Sequence, residues 1–170
     1  MHDILAAVEP LIPALRRYAR ALLRDRTAAD DLVHDCLERT ISSWHQRRPE
    51  TDARAWVFTI LHNLAMNRLR QAARRGPHVE LDDAAAAQPP SQEAHVRHGE
   101  LLRALAELPA DQRSVLLLVG VEGLSYADAA RVQGVPIGTV MSRLSRARER
   151  LHRLLDGALP VAPPALRSIK

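Results

Sequence analysis

Residues 122–153 read EGLSYADAARVQGVPIGTVMSRLSRARERLHR, and this stretch decides the fold. Gly123-Leu124 ends one helix. Ser125, followed three residues later by Asp128, has the spacing of a capping box, with the shorter Asp in place of Glu. A short helix then carries Ala127, Ala129 and Ala130, small enough for two helices to cross closely. Gly134 supplies a turn, and Pro136 suits the start of a final helix. On that helix Val140, Leu144, Ala147 and Leu151 recur at helical spacing and predict one inward face. A supporting helix, a glycine turn and a second helix make the pattern of a helix-turn-helix. The outward face of the second helix holds Thr139, Ser142, Arg143, Ser145, Arg146, Arg148 and Arg150. Such a face suits a DNA major groove, where Arg forks onto guanine and small hydroxyls bond to phosphates or to either base type. Gly138 allows close backbone approach at the helix N-terminus, which favours a phosphate. The plainer alternative is an arginine-rich solvated helix at the end of a bundle.

Working outward, Leu101, Leu105 and Leu108 form a stripe, Pro109 marks a new helix start, and the apolar run Ser114 to Val121 reads as a buried helix. Residues 77–97 read as a linker, with Pro89-Pro90 beside Ser91 and no sustained period; the linker is either flexible or briefly helical through its alanines. Before it, Leu11, Leu15, Tyr18 and Leu22 predict a first helix, with Pro10 and Pro13 in its first turn. A second helix is predicted from near Thr27, capped by that hydroxyl, with Val33, Leu37, Ile41 and Trp44 inward. After a polar loop from Gln46 to Asp52, a third runs from about Ala53 to Arg74, with Trp56, Ile60, Leu61 and Leu64 inward. No alternating strand pattern appears. The expected fold is all-α, in two small helical domains over 1–76 and 98–156, with a Pro-rich tail at 157–170.

The 170 residues carry 24 basic and 20 acidic side chains, but the excess is unevenly placed. Residues 1–75 hold 13 arginines against nine acids, residues 76–112 two against seven, and residues 113–155 seven against three. Ala53 to Val79 and Ala129 to Arg148 contain no acid at all. Genomic base composition explains Arg in place of Lys; it does not explain the loss of acids from these two stretches. Two contacts with a polyanion do.

Other classes fall away. A single cysteine, Cys36, excludes an internal disulfide framework; on the second helix it reads as buried or at a partner contact. No apolar run approaches the roughly 18 residues of a membrane span, and the N-terminus has no signal-peptide pattern, so no membrane insertion and a cytoplasmic location are expected. There is no Gly-rich phosphate loop, CxxC or HExxH. No nucleophile–base arrangement stands out, and His95 and His98 lack a third ligand. The chain reads as a non-enzyme without catalytic residues, metal or cofactors.

Two blocks together resemble a known family. LPADQRSVLLLVGVEGLSYADAARVQGVPIGTVMSRLSRARERL is similar to the C-terminal DNA-binding region of bacterial extracytoplasmic-function (ECF) sigma factors. AADDLVHDCLERTISSW followed by DARAWVFTILHNLAMNRLR resembles the N-terminal core of the same family. The resemblance implies a subunit that binds core RNA polymerase and selects promoter DNA, with an anti-sigma factor as partner. By the same resemblance, Thr139, Ser142, Arg143, Ser145, Arg146 and Arg148 contact a −35-type element. Asn63, Asn67, Arg68, Arg70, Arg74 and Arg75 contact a −10-type element, and the loop Gln46 to Asp52 captures a flipped base. Asp31, Leu32, Asp35 and Leu37 dock on polymerase, although spacing alone fits an ordinary acidic helix start equally well. His34 and Met141 depart from common family residues. With only Tyr18, Trp44, Trp56, Phe58 and Tyr126 as aromatics, and with both tryptophans reading as core, weak strand opening and dependence on near-consensus promoters are expected. Two competing readings are a helix-turn-helix regulator that works without polymerase and a sigma-like decoy for an anti-sigma protein.

Overall fold

The computed structural model describes residues 2–76 and 92–157, and every regular element among them is helical. Most of the expected linker and nearly all of the tail lie outside the described residues. The fold is all-α, in two small helical units.

The N-terminal unit begins with α1 (His2–Val8) and a short 3₁₀ turn, Glu9–Leu11. Helix α2 (Ile12–Leu23) follows, with Pro13 in its first turn, where the missing N–H costs nothing. It stops at Arg24, whose backbone is left-handed (φ 62°). The chain can then turn at once into α3 (Arg26–Ser43). The cap of α3 is Asp25 rather than the expected Thr27: its carboxylate accepts the Ala28 N–H at 2.9 Å. Helix α4 (Ala53–Arg75) is capped in the same way by Asp52, which accepts from the N–H groups of Arg54 and Ala55.

Helices α2, α3 and α4 pack on one another around Leu15, Tyr18, Leu22, Leu32, Val33, Cys36, Val57, Phe58 and Leu61. Fully burying one such Leu or Phe stabilises by about 1.5–3 kcal/mol. Two inward faces differ from expectation. On α3 the buried residues are Ala29, Leu32, Val33, Cys36 and Thr40, while Ile41 is 54 % exposed. On α4 they are Ala55, Val57, Phe58, Leu61, His62 and Ala65; Trp56, Ile60 and Leu64 are half-buried along one flank. The physical reason on α4 is that it is covered from two sides, by α2 and α3 and by the helix Tyr126–Gln133 of the C-terminal unit.

The C-terminal unit comprises α5 (Gln92–Ala106), α6 (Ala110–Leu116), α7 (Tyr126–Gln133) and α8 (Ile137–Asp156). Pro109 stands at the start of α6, as expected, and α6 runs on through a wider-wound π turn, Leu117–Val121. Ser125 caps α7 by accepting the Asp128 N–H at 3.0 Å. The Asp128 carboxylate does not reach back to the backbone as a full capping box would; it accepts the Ser125 hydroxyl at 2.6 Å. Gly134, at φ +64°, closes α7 in the left-handed region that disfavours a side chain. Ala129, Ala130 and Val132 are the buried residues of α7, and Ala127 faces outward. Val140, Leu144 and Ala147 of α8 are buried as the spacing predicts. Ala147 joins Leu105 and Leu108 in a small cluster between α5 and α8.

The units are not strung apart. One apolar cluster runs from Leu15 and Phe58 through Leu118 and Ala129 to Leu144. Polar contacts cross the seam as well. The Tyr18 hydroxyl lies 3.0 Å from His62 Nδ1 and 2.8 Å from Ser114 Oγ, which is itself 3.1 Å from His62 Nδ1. Arg113 donates across it to the Leu22 carbonyl at 2.9 Å.

Candidate nucleic-acid interface

The outward face of α8 is built by subtraction. With Val140, Leu144 and Ala147 turned into the core, Ser142, Ser145, Arg146 and Arg148 stand exposed on the other side. The Ser142 hydroxyl donates back to the Thr139 carbonyl at 3.0 Å. Pro136 precedes the helix and makes no side-chain cap, so no side chain covers the first turn. A Cβ at Gly138 would meet nothing within 4 Å, so packing does not demand glycine there.

Thr139 and Arg143 are half-buried at the edge of this face. The Arg143 guanidinium donates to Gln133 Oε1 at 3.1 Å and pairs with Asp111 at 3.2 Å. Gln133 in turn donates to Ser114 Oγ at 3.0 Å and to the Asp111 carbonyl at 3.1 Å. Arg143 therefore ties α8 to α6 and α7, a role its spacing alone did not suggest.

The second basic surface lies on the C-terminal half of α4, where Asn63, Asn67, Arg70, Arg74 and Arg75 are exposed. Arg70 donates to the Asn67 side-chain oxygen, which leaves the Asn67 NH₂ facing outward as a donor. Arg68 is used differently: it pairs with Asp35 at 2.5 Å and donates to the Ala28 carbonyl at 2.8 Å, pinning α4 to α3. The structure thus joins a residue expected at DNA to one expected at polymerase.

At the other end of α4, the loop before Asp52 is ordered by Arg47, which lies 4.7 Å above the Trp44 ring and donates to the Thr51 carbonyl at 2.6 Å. Trp44 and Trp56 meet edge to face, 5.9 Å apart, both half-buried against the core.

On α3, Asp31 is exposed and Asp35 and Leu37 are half-buried. Leu32 is a correction: it is completely buried among the core residues, so it supports α3 from within and presents nothing to a partner. Cys36 is also buried against α4, its thiol directed at the Val57 carbonyl. Burial pushes that thiol up to about 12, which leaves it protonated and unreactive at neutral pH.

Sequence reading missed the polar residues of the seam. His62 reads as one more helix residue but is buried between Tyr18 and Ser114. Burial first, then the positive charges of Arg143 and Arg70, lower its pKa to about 4, so it is neutral at physiological pH. Glu122 is likewise buried, held by Arg17 and Arg54.

Comparison with known proteins identifies the family. Residues 8–62 match the Sigma2 domain of PhyR, and residues 98–151 match Sigma-70, region 4. The chain is 42 % identical over 167 residues to the ECF RNA polymerase sigma factor EcfG of Rhodopseudomonas palustris, covering 95 % of this chain and 88 % of that one. It is 35 % identical to the ECF sigma factor SigM of Mycobacterium tuberculosis, over 83 % of this chain and 71 % of the relative. Among solved structures, the sigma factor RpoE of Bartonella quintana, in complex with the anti-sigma factor NepR, superposes with a TM-score of 0.81 at 35 % identity. That match covers 92 % of this chain and 98 % of the other. With both family regions in order on an all-α frame and such identity across nearly its whole length, the chain belongs to the ECF RNA polymerase sigma factors of the sigma-70 superfamily.

Proposed function

We propose that this sigma factor binds core RNA polymerase and directs promoter-specific initiation, reading a −35-type element with α8 and opening a −10-type element with α4. One observation carries this reading: two stretches that contain no acid of their own present exposed basic side chains on separate units. On α8, Ser142, Ser145, Arg146 and Arg148 reach base edges and phosphates, with Thr139 and Arg143 setting the edge of the footprint. On α4, Asn63 and Asn67 address bases while Arg70, Arg74 and Arg75 follow the backbone. Arg68 contributes by holding α4 against α3. The Arg47-ordered loop receives the flipped base, whose unstacking costs a few kcal/mol.

Docking on polymerase is assigned to the exposed side of α3, through Asp31, Asp35 and Leu37. Ile41, exposed one turn beyond Leu37, supplies the apolar contact first expected of Leu32. An anti-sigma factor is the proposed regulator, as RpoE of Bartonella quintana is solved in complex with one. With two half-buried tryptophans and no aromatic-rich surface, weak strand opening is part of the same reading.

Run-off transcription with purified core polymerase on a promoter library tests the whole. The expected outcome is initiation that depends on both chain and promoter sequence. Capture of an anti-sigma protein with neither polymerase binding nor initiation would instead favour the sigma-like decoy. Promoter binding without polymerase binding would favour a helix-turn-helix regulator.

A further inference from the structure

Glu122 is the only acid between Asp111 and Asp128, and its carboxylate is 1 % exposed. Arg17 grips it with two hydrogen bonds, Nε to Oε1 at 2.9 Å and Nη2 to Oε2 at 2.7 Å. Arg54 adds Nη2 at 3.6 Å from Oε2 and donates to the Glu122 carbonyl at 2.6 Å. The arginines are 53 % and 40 % exposed, so the acid is deep and the cations form its rim.

A carboxylate taken out of water must be paired. Both partners belong to the N-terminal unit, on α2 and α4, so Glu122 can be buried only while the units are closed. Arg54 opens the acid-free stretch Ala53 to Val79. Its acidic neighbour is supplied by the other unit. Two guanidiniums converging on one anion also make the geometry that binds a phosphodiester, which is tetrahedral but likewise presents two oxygens to a guanidinium fork and carries the same single charge.

We infer that Arg17 and Arg54 form a nucleic-acid phosphate site which Glu122 occupies in the closed chain. Closure is then a self-inhibited state: the carboxylate stands in for a DNA phosphate, and separation of the units exchanges one anion for the other. The seam is suited to opening. It carries the Tyr18–His62–Ser114 contacts and the Arg113–Leu22 bond besides its apolar part, as interfaces that separate are more polar than permanent ones. Each unit also keeps apolar residues of its own, Leu22, Leu32 and Val33 on one side and Leu105, Leu108 and Ala147 on the other. The inference rests on the DNA-binding reading above, but its test does not need polymerase.

The experiment compares the full chain with Glu122→Gln and Arg17→Gln. Small-angle scattering reads closure, and affinity for a labelled DNA duplex is measured across salt concentrations. Glu122→Gln should enlarge the radius of gyration. It should also steepen the slope of log K against log salt by about 2, one phosphate contact per freed arginine. Arg17→Gln, altered at the exposed rim, should open the chain while steepening the slope by only about 1. It carries the test if Glu122→Gln loses helical content. A compact Glu122→Gln chain, or an open one with an unchanged slope, would each overturn the inference. Failure of the unaltered chain in run-off transcription, with these shifts present, would instead count against the sigma-factor mechanism.

Discussion

Arg143 and Arg146 stand one turn apart on α8, yet their surroundings assign them different work. Arg146 is exposed with no partner among the described contacts, so its guanidinium is available to a base. Arg146→Ala should cost roughly 1–3 kcal/mol in promoter binding and relax one position of the element. A promoter library bound by wild type and variant checks this, since a uniform loss across all sequences would make Arg146 a phosphate contact instead. Arg143→Ala should act mainly on stability, by about 0.5–1.5 kcal/mol in urea unfolding, because it removes the bond to Gln133 and the pair with Asp111. His62 adds a pH dependence. Its folded pKa of about 4 lies below the unfolded value near 6.5, so between those pH values the unfolded chain binds the extra proton. Stability due to His62 is therefore complete above about pH 6.5 and falls as pH drops toward 4, by up to about 3 kcal/mol. Urea midpoints at pH 7 and pH 5 should diverge for wild type and converge for His62→Gln. Equal divergence in both would remove His62 as the cause.

At the scale of the element, Gly134 is the clearest requirement. Its φ of +64° closes α7, and a Cβ there would meet nothing within 4 Å. The cost of Gly134→Ala is therefore conformational, about 1–2 kcal/mol. Gly134→Asn should cost less, since Asn tolerates the left-handed region. Thermal unfolding of the pair checks it, and equal losses would point to crowding instead. Helix positions were largely legible, because proline starts, glycine stops and apolar spacing act within a few residues. The outward face of α8 was legible for the same reason, as one inward stripe leaves one outward face. The faces of α3 and α4 were less so. Leu32 and Ile41 exchanged their expected places, and Trp56 gave way to Val57 and Phe58, because spacing on one helix does not say how many neighbours surround it. Nor did the hydroxyl of Thr27 reveal that Asp25, just before the helix, had the stronger claim on its N-terminus.

At the scale of the whole molecule, the seam was not legible. A lone glutamate after an apolar run carries no local sign that arginines 105 and 68 residues earlier will cover it. The shared core predicts how the chain unfolds. Both tryptophans lie in the N-terminal unit, so their fluorescence reports that unit while far-ultraviolet circular dichroism reports both. The two transitions in urea should coincide. Separate midpoints would mean that the units are energetically independent even when packed together. The junction itself has a further property. Tyr18 Oη, Ser114 Oγ and His62 Nδ1 form a triangle of three contacts, but the two hydroxyls bring only two hydrogens. Both are used within the triangle only if Nδ1 accepts, which places the imidazole hydrogen on Nε2. Even then one edge stays bare. The hydrogens can run from Tyr18 through Ser114 to the ring, or from Ser114 through Tyr18 to it. With Nδ1 accepting, the two hydroxyls at the meeting point of the units can thus run in either sense, exchanged by hydroxyl rotation without moving a heavy atom.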